Sequence, residues 1–183
     1  LTVPRSTAED TEAVAVTRMT QRFKEFPVIR PLVGFEIRRA LVNTAVAETK
    51  SADALFYTFD YIPLALAFVT IVDNGGKVRM VGDHHQMYEG ASVGQGEVIN
   101  ALLAAGVEIK TYQPHSSRNS ALHTKTIRFG ESVQFLGSAN FSHNSMDGNC
   151  VETCVLTRSW DVVHENAVLF SNILSKASPV EPS

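Results

Sequence analysis

The segment LHTKTIRF carries His123 and Lys125 two positions apart. Read as a strand, in which successive side chains alternate between faces, it turns the imidazole and the ammonium to one side and Thr124 and Thr126 to the other. A titratable ring beside a fixed cation is the pairing needed to attack or protonate an anionic ester. The next strand ends in GSAN, where Ser138 and Asn140 are again two apart and share a face, and Gly137 leaves room for the backbone to approach a ligand. Glu152 opens a third strand, where a carboxylate can hydrogen-bond one imidazole nitrogen and hold the other toward a substrate.

These groups need a scaffold that brings strand ends together. Helical stretches are expected at Thr11–Phe23, at Phe35–Glu48, where Ile37, Leu41, Val42 and Ala45 recur at helical spacing, and at Pro63–Val72, which closes on Asp73-Asn74-Gly75-Gly76. PVIRP reads as a Pro-bounded connection between the first two. ALFYTFD, VRMVGD and VEIKTY read as strands, the last two separated by a helix over Glu97–Ala105 that closes on Gly106. Phe56, Tyr57 and Phe59 read as core packing, and Tyr61 as a strand-end residue facing the cleft. After the polar loop QPHSSRNS the chain changes to LHTKTIRF, SVQFLGSAN and VETCVLT, three closely spaced strands, and then to a last amphipathic helix over Val162–Lys176. This pattern implies an α/β fold with a mixed β-sheet flanked by helices on both faces. The expected organisation is an N-terminal helical extension over 1–24, one catalytic domain over 25–176 and a flexible tail over 177–183.

H-T-K, then GSAN beginning fourteen residues after the histidine, then a glutamate opening the following strand, together resemble the HKD motif of the phospholipase D superfamily. The order of GGKVRMVGD, AAGVEIKTY and a catalytic strand behind a polar loop resembles its single-motif, Nuc-type phosphodiesterases, over roughly Phe35 to Leu174. The resemblance implies a phospholipase D-like sandwich in which one histidine attacks phosphorus to give a phosphohistidine and a second, from another copy of the motif, protonates the leaving oxygen. One imidazole cannot be both neutral nucleophile and protonated acid in one step, so a chain with one motif is expected to act as a homodimer with two His123 side chains facing each other. Lys125 and Asn140 would neutralise the phosphoryl oxygens, and Glu152 would support the histidine. No metal and no cofactor are expected, and the substrate is a phospholipid or a nucleic acid.

The resemblance also places the loop after VRMVGD beside the site. Adjacent strand residues point to opposite faces, so His84 and His85 are not expected to hold one metal ion, and His84 is taken as a substrate contact. His115, with Arg118, lies in the loop before the catalytic strand, where it contacts a phosphate or is merely solvated. His143 reads as a loop residue, and His164 as a structural or solvated residue of the last helix. Two positions depart from the pattern. Gly130, followed by Glu131, stands where the superfamily has a supporting aspartate five residues after the lysine, and SHNSMDGNCV is one residue longer than the pattern. The alternative reading is therefore a catalytically inactive phosphate- or nucleic-acid-binding interaction domain.

Composition bounds the rest. A chain of 183 residues, 44% hydrophobic and 19% charged, can bury a core without disulfides or metals. It has no apolar run approaching the roughly 18 residues of a membrane-spanning helix. A net charge of -3 gives little overall attraction to polyanions, so an anionic substrate must be captured locally, and a nuclease is mildly disfavoured. YIPLALAFV is apolar enough for a lipid interface but reads better as a buried helix. Cys150 and Cys154, if on one strand, lie roughly 13 Å apart, beyond disulfide reach. LTVPRSTAED lacks the apolar core of a signal peptide, yet the chain opens on Leu, so the compartment stays open.

Overall fold

The structure, a computed structural model, describes residues 29–48, 50–90, 94–115 and 120–180. The helix expected over Thr11–Phe23, the extension 1–24, Arg118 and residues 181–183 lie outside these. The strands are β1 (Ile29–Val33), β2 (Ser51–Phe56), β3 (Lys77–Asp83), β4 (Glu108–Tyr112), β5 (Thr126–Phe129), β6 (Val133–Gly137), β7 (Thr153–Thr157) and β8 (Ser178–Pro179). The helices are α1 (Phe35–Ala47), α2 (Ile62–Asp73), α3 (His84–Tyr88), α4 (Gln95–Ala104), α5 (His143–Met146) and α6 (Trp160–Leu174). All strands join one mixed sheet in the order β1-β7-β6-β5-β2-β3-β4-β8. β2, β3 and β4 are parallel, so α2 and α4 must carry the chain back between them. β5 joins antiparallel to β2, and β6, β7 and β1 continue antiparallel from it.

Alternation along β2 shows how the layers form. Ala52, Ala54 and Phe56 face a core with Ile37, Leu41 and Ala45 of α1, Leu64 and Phe68 of α2, and Ile99 and Leu102 of α4. Leu55 faces the other way, with Val81 and Leu122, onto Phe170 of α6. Helices therefore cover both faces. α2 closes with Gly75 N–H donating to Val72 O and Gly76 N–H to Ile71 O, each at 2.8 Å, which satisfies carbonyls the helix itself leaves open. Among the described residues, no helix is long and apolar enough to cross a membrane.

The structure differs from the sequence reading at several segments: β2 ends at Phe56, short of the rest of ALFYTFD, and Ser138, Asn140 and Glu152, read as strand residues, lie just outside β6 and β7. PVIRP is not a bare connection, because Ile29–Val33 pairs with β7 as an edge strand, a position where Pro31, lacking an N–H, is tolerated. LHTKTIRF is regular only over Thr126–Phe129, so His123 and Lys125 precede the strand rather than lie within it. In the segment read as a tail, Ser178–Pro179 pairs with β4 and Val180 N–H donates to Ile109 O at 3.4 Å.

Sheet direction decides where chemistry can be assembled. The C-terminal ends of β2, β3, β4 and β6 and the N-terminal ends of β5 and β7 share one end of the sheet, as the pairs Leu55–Thr126, Phe56–Gly82, Gly82–Thr111 and Gly137–Cys154 require. Gly130 lies at the opposite end, just past β5.

Candidate active site

His123 is exposed at the shared end, and its ring meets Tyr57 edge-on with centroids 4.7 Å apart. Lys125 Nζ stands 5.1 Å from the centre of the same Tyr57 ring. One aromatic thus supports both groups, offering its edge or face to the imidazole and its negative face to the cation. Tyr57 falls just after β2, half-buried, while Phe56 and Phe59 are fully buried. The core packing read for the three aromatics therefore holds for the two phenylalanines and not for Tyr57. Its hydroxyl accepts from Gln86 Nε2 at 2.9 Å, which fixes the ring.

Lys125 is 4% exposed, and its Nζ donates to His123 O at 2.8 Å. Burial lowers its pKa, opposed by the negative charge of Glu152. Burial also lowers the pKa of His123, and Lys125 adds to the effect, while Asp83 opposes it. The imidazole is biased toward its neutral form, the state in which a ring nitrogen has a free lone pair.

Glu152 sits across from GSAN. Its Oε1 accepts from Ser145 Oγ at 3.0 Å and its Oε2 from Ser138 Oγ. Ser138 Oγ also accepts the Thr153 N–H at 3.1 Å, tying the end of β6 to the start of β7. The sequence suggested a carboxylate bonded to imidazole. Within this chain the bonds of Glu152 go to the two serines, and it acts on Lys125 through charge. Asn140 is half-buried, and its Oδ1 has no hydrogen-bond partner among the described residues. Gly137 has a role other than ligand access, because a Cβ there would lie 2.6 Å from the Cys154 Cα and 2.5 Å from its Sγ. Close strand pairing demands the glycine.

The remaining histidines divide. His84 and His85 lie in the first turn of α3, not in a strand. His84 Nδ1 bonds Thr111 Oγ1 at 3.1 Å, and His85 Nδ1 pairs with Glu89 at 3.3 Å. His115 follows β4, where Ser120 Oγ donates to its carbonyl at 2.7 Å and accepts from its N–H at 3.3 Å. These residues share the end of the sheet with His123, but no hydrogen bond or ring contact among the described residues joins them to it. Tyr61 is buried with its ring 5.3 Å from that of His143, which begins α5, and burial raises the Tyr61 pKa. His164 stacks on exposed Trp160 at 4.8 Å on α6. Among the described residues, no cluster of His, Cys, Asp and Glu is arranged to hold a metal ion.

Sequence reasoning missed Tyr57, Ser145 and Asp83 as parts of this site. A signal existed for Asp83, because Asp83 and Gln86 have the spacing of a helix-capping pair at a strand end, and Asp83 Oδ1 does accept the Gln86 N–H at 3.0 Å.

One end of the α/β sheet thus carries a neutral-biased imidazole, a buried lysine and a half-buried amide. The chain belongs to the phospholipase D superfamily: residues 41–174 match the family described as cardiolipin synthase, PLD-like domain. Its fold is similar to that of NucT from Helicobacter pylori, with a TM-score of 0.72 at 16% identity over 83% of this chain and 98% of that one. It is equally similar to the phospholipase D family member Nuc from Salmonella typhimurium, with a TM-score of 0.73 at 15% identity over 84% and 99% of the two chains. TrmBL2, an archaeal chromatin protein whose structure shows a novel mode of DNA binding, is similar at a TM-score of 0.59 and 13% identity, over 94% of this chain and 63% of that one. No curated protein matches the chain.

Proposed function

We propose that this chain hydrolyses phosphodiesters through a phosphohistidine on His123, without metal, in an active site shared by two copies. The observation that carries the reading is His123, set against Tyr57 beside a buried Lys125, with partial desolvation of its ring and that cation both lowering its pKa. A neutral His123 attacks phosphorus. A P–N bond forms as the P–O bond to the leaving group breaks, and the leaving oxygen takes a proton from the protonated His123 of the second copy. Water then gives its proton to that second imidazole and attacks phosphorus, and the P–N bond breaks. Two lysines, one from each copy, stabilise the negative charge that grows on the phosphoryl oxygens. Asn140 through its amide N–H groups, Ser138, His84 and His115 are the substrate contacts in this reading, and Glu152 holds Ser138 in place.

Gly130 counts less against activity than the motif alone suggests. It lies at the far end of β5 from His123, so the missing aspartate removes no group near phosphorus. The substrate is a phospholipid or a nucleic acid. Turnover of bis(p-nitrophenyl) phosphate that survives EDTA and is lost in His123→Ala is the expected result. If wild type binds phosphate but never turns the ester over, the chain is a binding domain instead.

A further inference from the structure

Backbone pairing leaves the catalytic segment short of anchors. Ladder bonds between β2 and β5 begin at Thr126, so residues 120–125 must be held by other means. Lys125 O accepts the Gly137 N–H at 3.3 Å from one side. From the other side comes Asp83, the last residue of β3, which is 1% exposed. Its two carboxylate oxygens serve different segments. Oδ1 caps α3 through the Gln86 N–H, and Oδ2 accepts the Leu122 N–H at 2.7 Å. Leu122 is the residue before His123, and its side chain is buried with Leu55, Val81 and Phe170. The peptide ahead of the imidazole is therefore fixed twice, by packing beneath it and by a charge-assisted bond beside it.

We propose that Asp83 is a positioning residue for His123: its carboxylate holds the backbone from which the imidazole projects and sets a negative charge against that of Lys125. Among the described residues, the charged and titratable groups around the ring are Lys125 on its own segment, Asp83 from β3 and Tyr57 after β2, with Glu152 ahead of β7 acting on Lys125. Burial and Lys125 lower the His123 pKa, and Asp83 is the charge that raises it. A shared site needs that opposition, because one imidazole of the pair must be protonated while the other is not. Only the consequence for turnover rests on the proposed function; the consequence for His123 itself does not.

The test is Asp83→Asn in the full chain, which removes the charge and keeps one acceptor. Histidine ring resonances are followed against pH, with His123 assigned by its loss in His123→Ala. The His123 midpoint is expected to move to lower pH. Turnover is expected to fall roughly ten- to a hundredfold with KM less affected, as for a misplaced reacting group. A folded Asp83→Asn variant whose His123 titrates as in wild type overturns the proposal. If the variant does not fold, wild type decides: the Asp83 carboxyl carbon resonance should report the titration of His123, and the Leu122 amide should be protected from exchange. Absence of both overturns it equally. A shifted His123 midpoint in a protein without turnover sinks the proposed function and leaves the role of Asp83 standing.

Discussion

Gly130→Asp writes back the residue that the superfamily pattern carries five positions after the lysine, and the structure makes the change costly at a point remote from His123. Gly130 has φ +56°, and an L residue in that region costs about 1 kcal/mol, since aspartate tolerates it better than most. A Cβ there would lie 2.8 Å from Glu48 Oε2, so the glutamate must swing aside into a cleft of about 510 Å³. In moving, it gives up the Lys50 N–H held at 2.7 Å, a hydrogen bond to a charged acceptor worth about 1.5 kcal/mol. Two carboxylates then face each other near solvent, which adds about 1 kcal/mol. A loss of about 3.5 kcal/mol is expected, roughly a 10 °C fall in Tm for a chain of this size. Thermal unfolding by circular dichroism measures it. Glu48→Ala in the same chain should reduce the cost of Gly130→Asp to that of the backbone alone, and turnover per folded molecule should not change. A stabilised Gly130→Asp variant, or a cost unaffected by Glu48→Ala, refutes the reasoning.

Lys125→Met keeps the volume against Tyr57 and removes the cation, so turnover should fall about a hundred- to a thousandfold with an unchanged circular dichroism spectrum; a smaller loss places Lys125 outside the chemistry. Because burial and Lys125 lower the His123 pKa, kcat/KM should rise with pH through a midpoint below the ordinary imidazole value of 6.5. A midpoint above it contradicts the neutral nucleophile. The same shift affects stability: the unfolded chain takes up the His123 proton more readily, so stability is lost as pH falls from 6.5 toward the folded value, and His123→Gln should remove that loss from a urea titration. Asp53 is 3% exposed and paired with Arg79 and Arg128, so Asp53→Asn leaves two guanidinium groups facing each other and should cost about 3 kcal/mol in denaturant unfolding.

The layers were legible because buried positions follow simple periods. Ile37, Leu41 and Ala45 mark one helix face, and Ala52, Ala54 and Phe56 one strand face. β1 was hidden by Pro31, which speaks against a strand unless the strand is known to lie at an edge. The nearness of His123 and Lys125 was legible from their separation of two, although neither lies in the strand whose alternation was invoked for it. The support of both by Tyr57 was not, because Phe56, Tyr57 and Phe59 look alike as a pattern, and only the end of β2 turns Tyr57 out of the core. Glu152 was legible as a polar group at the site, but its serine partners depend on the chain between β6 and β7, whose path no local pattern gives. Gly137 was assigned to ligand access because a sequence does not show that the Cys154 backbone occupies the space of its Cβ.

Trapping the covalent intermediate tests the shared-histidine account most directly. The protein would be mixed with a slowly hydrolysed phosphodiester, quenched at high pH where phosphohistidine survives, digested and sequenced by mass spectrometry. The account predicts an acid-labile phosphoryl adduct on His123, at no more than one adduct for every two chains, and none in His123→Ala. Turnover with no adduct, an adduct on another residue, or one adduct on every chain would contradict it.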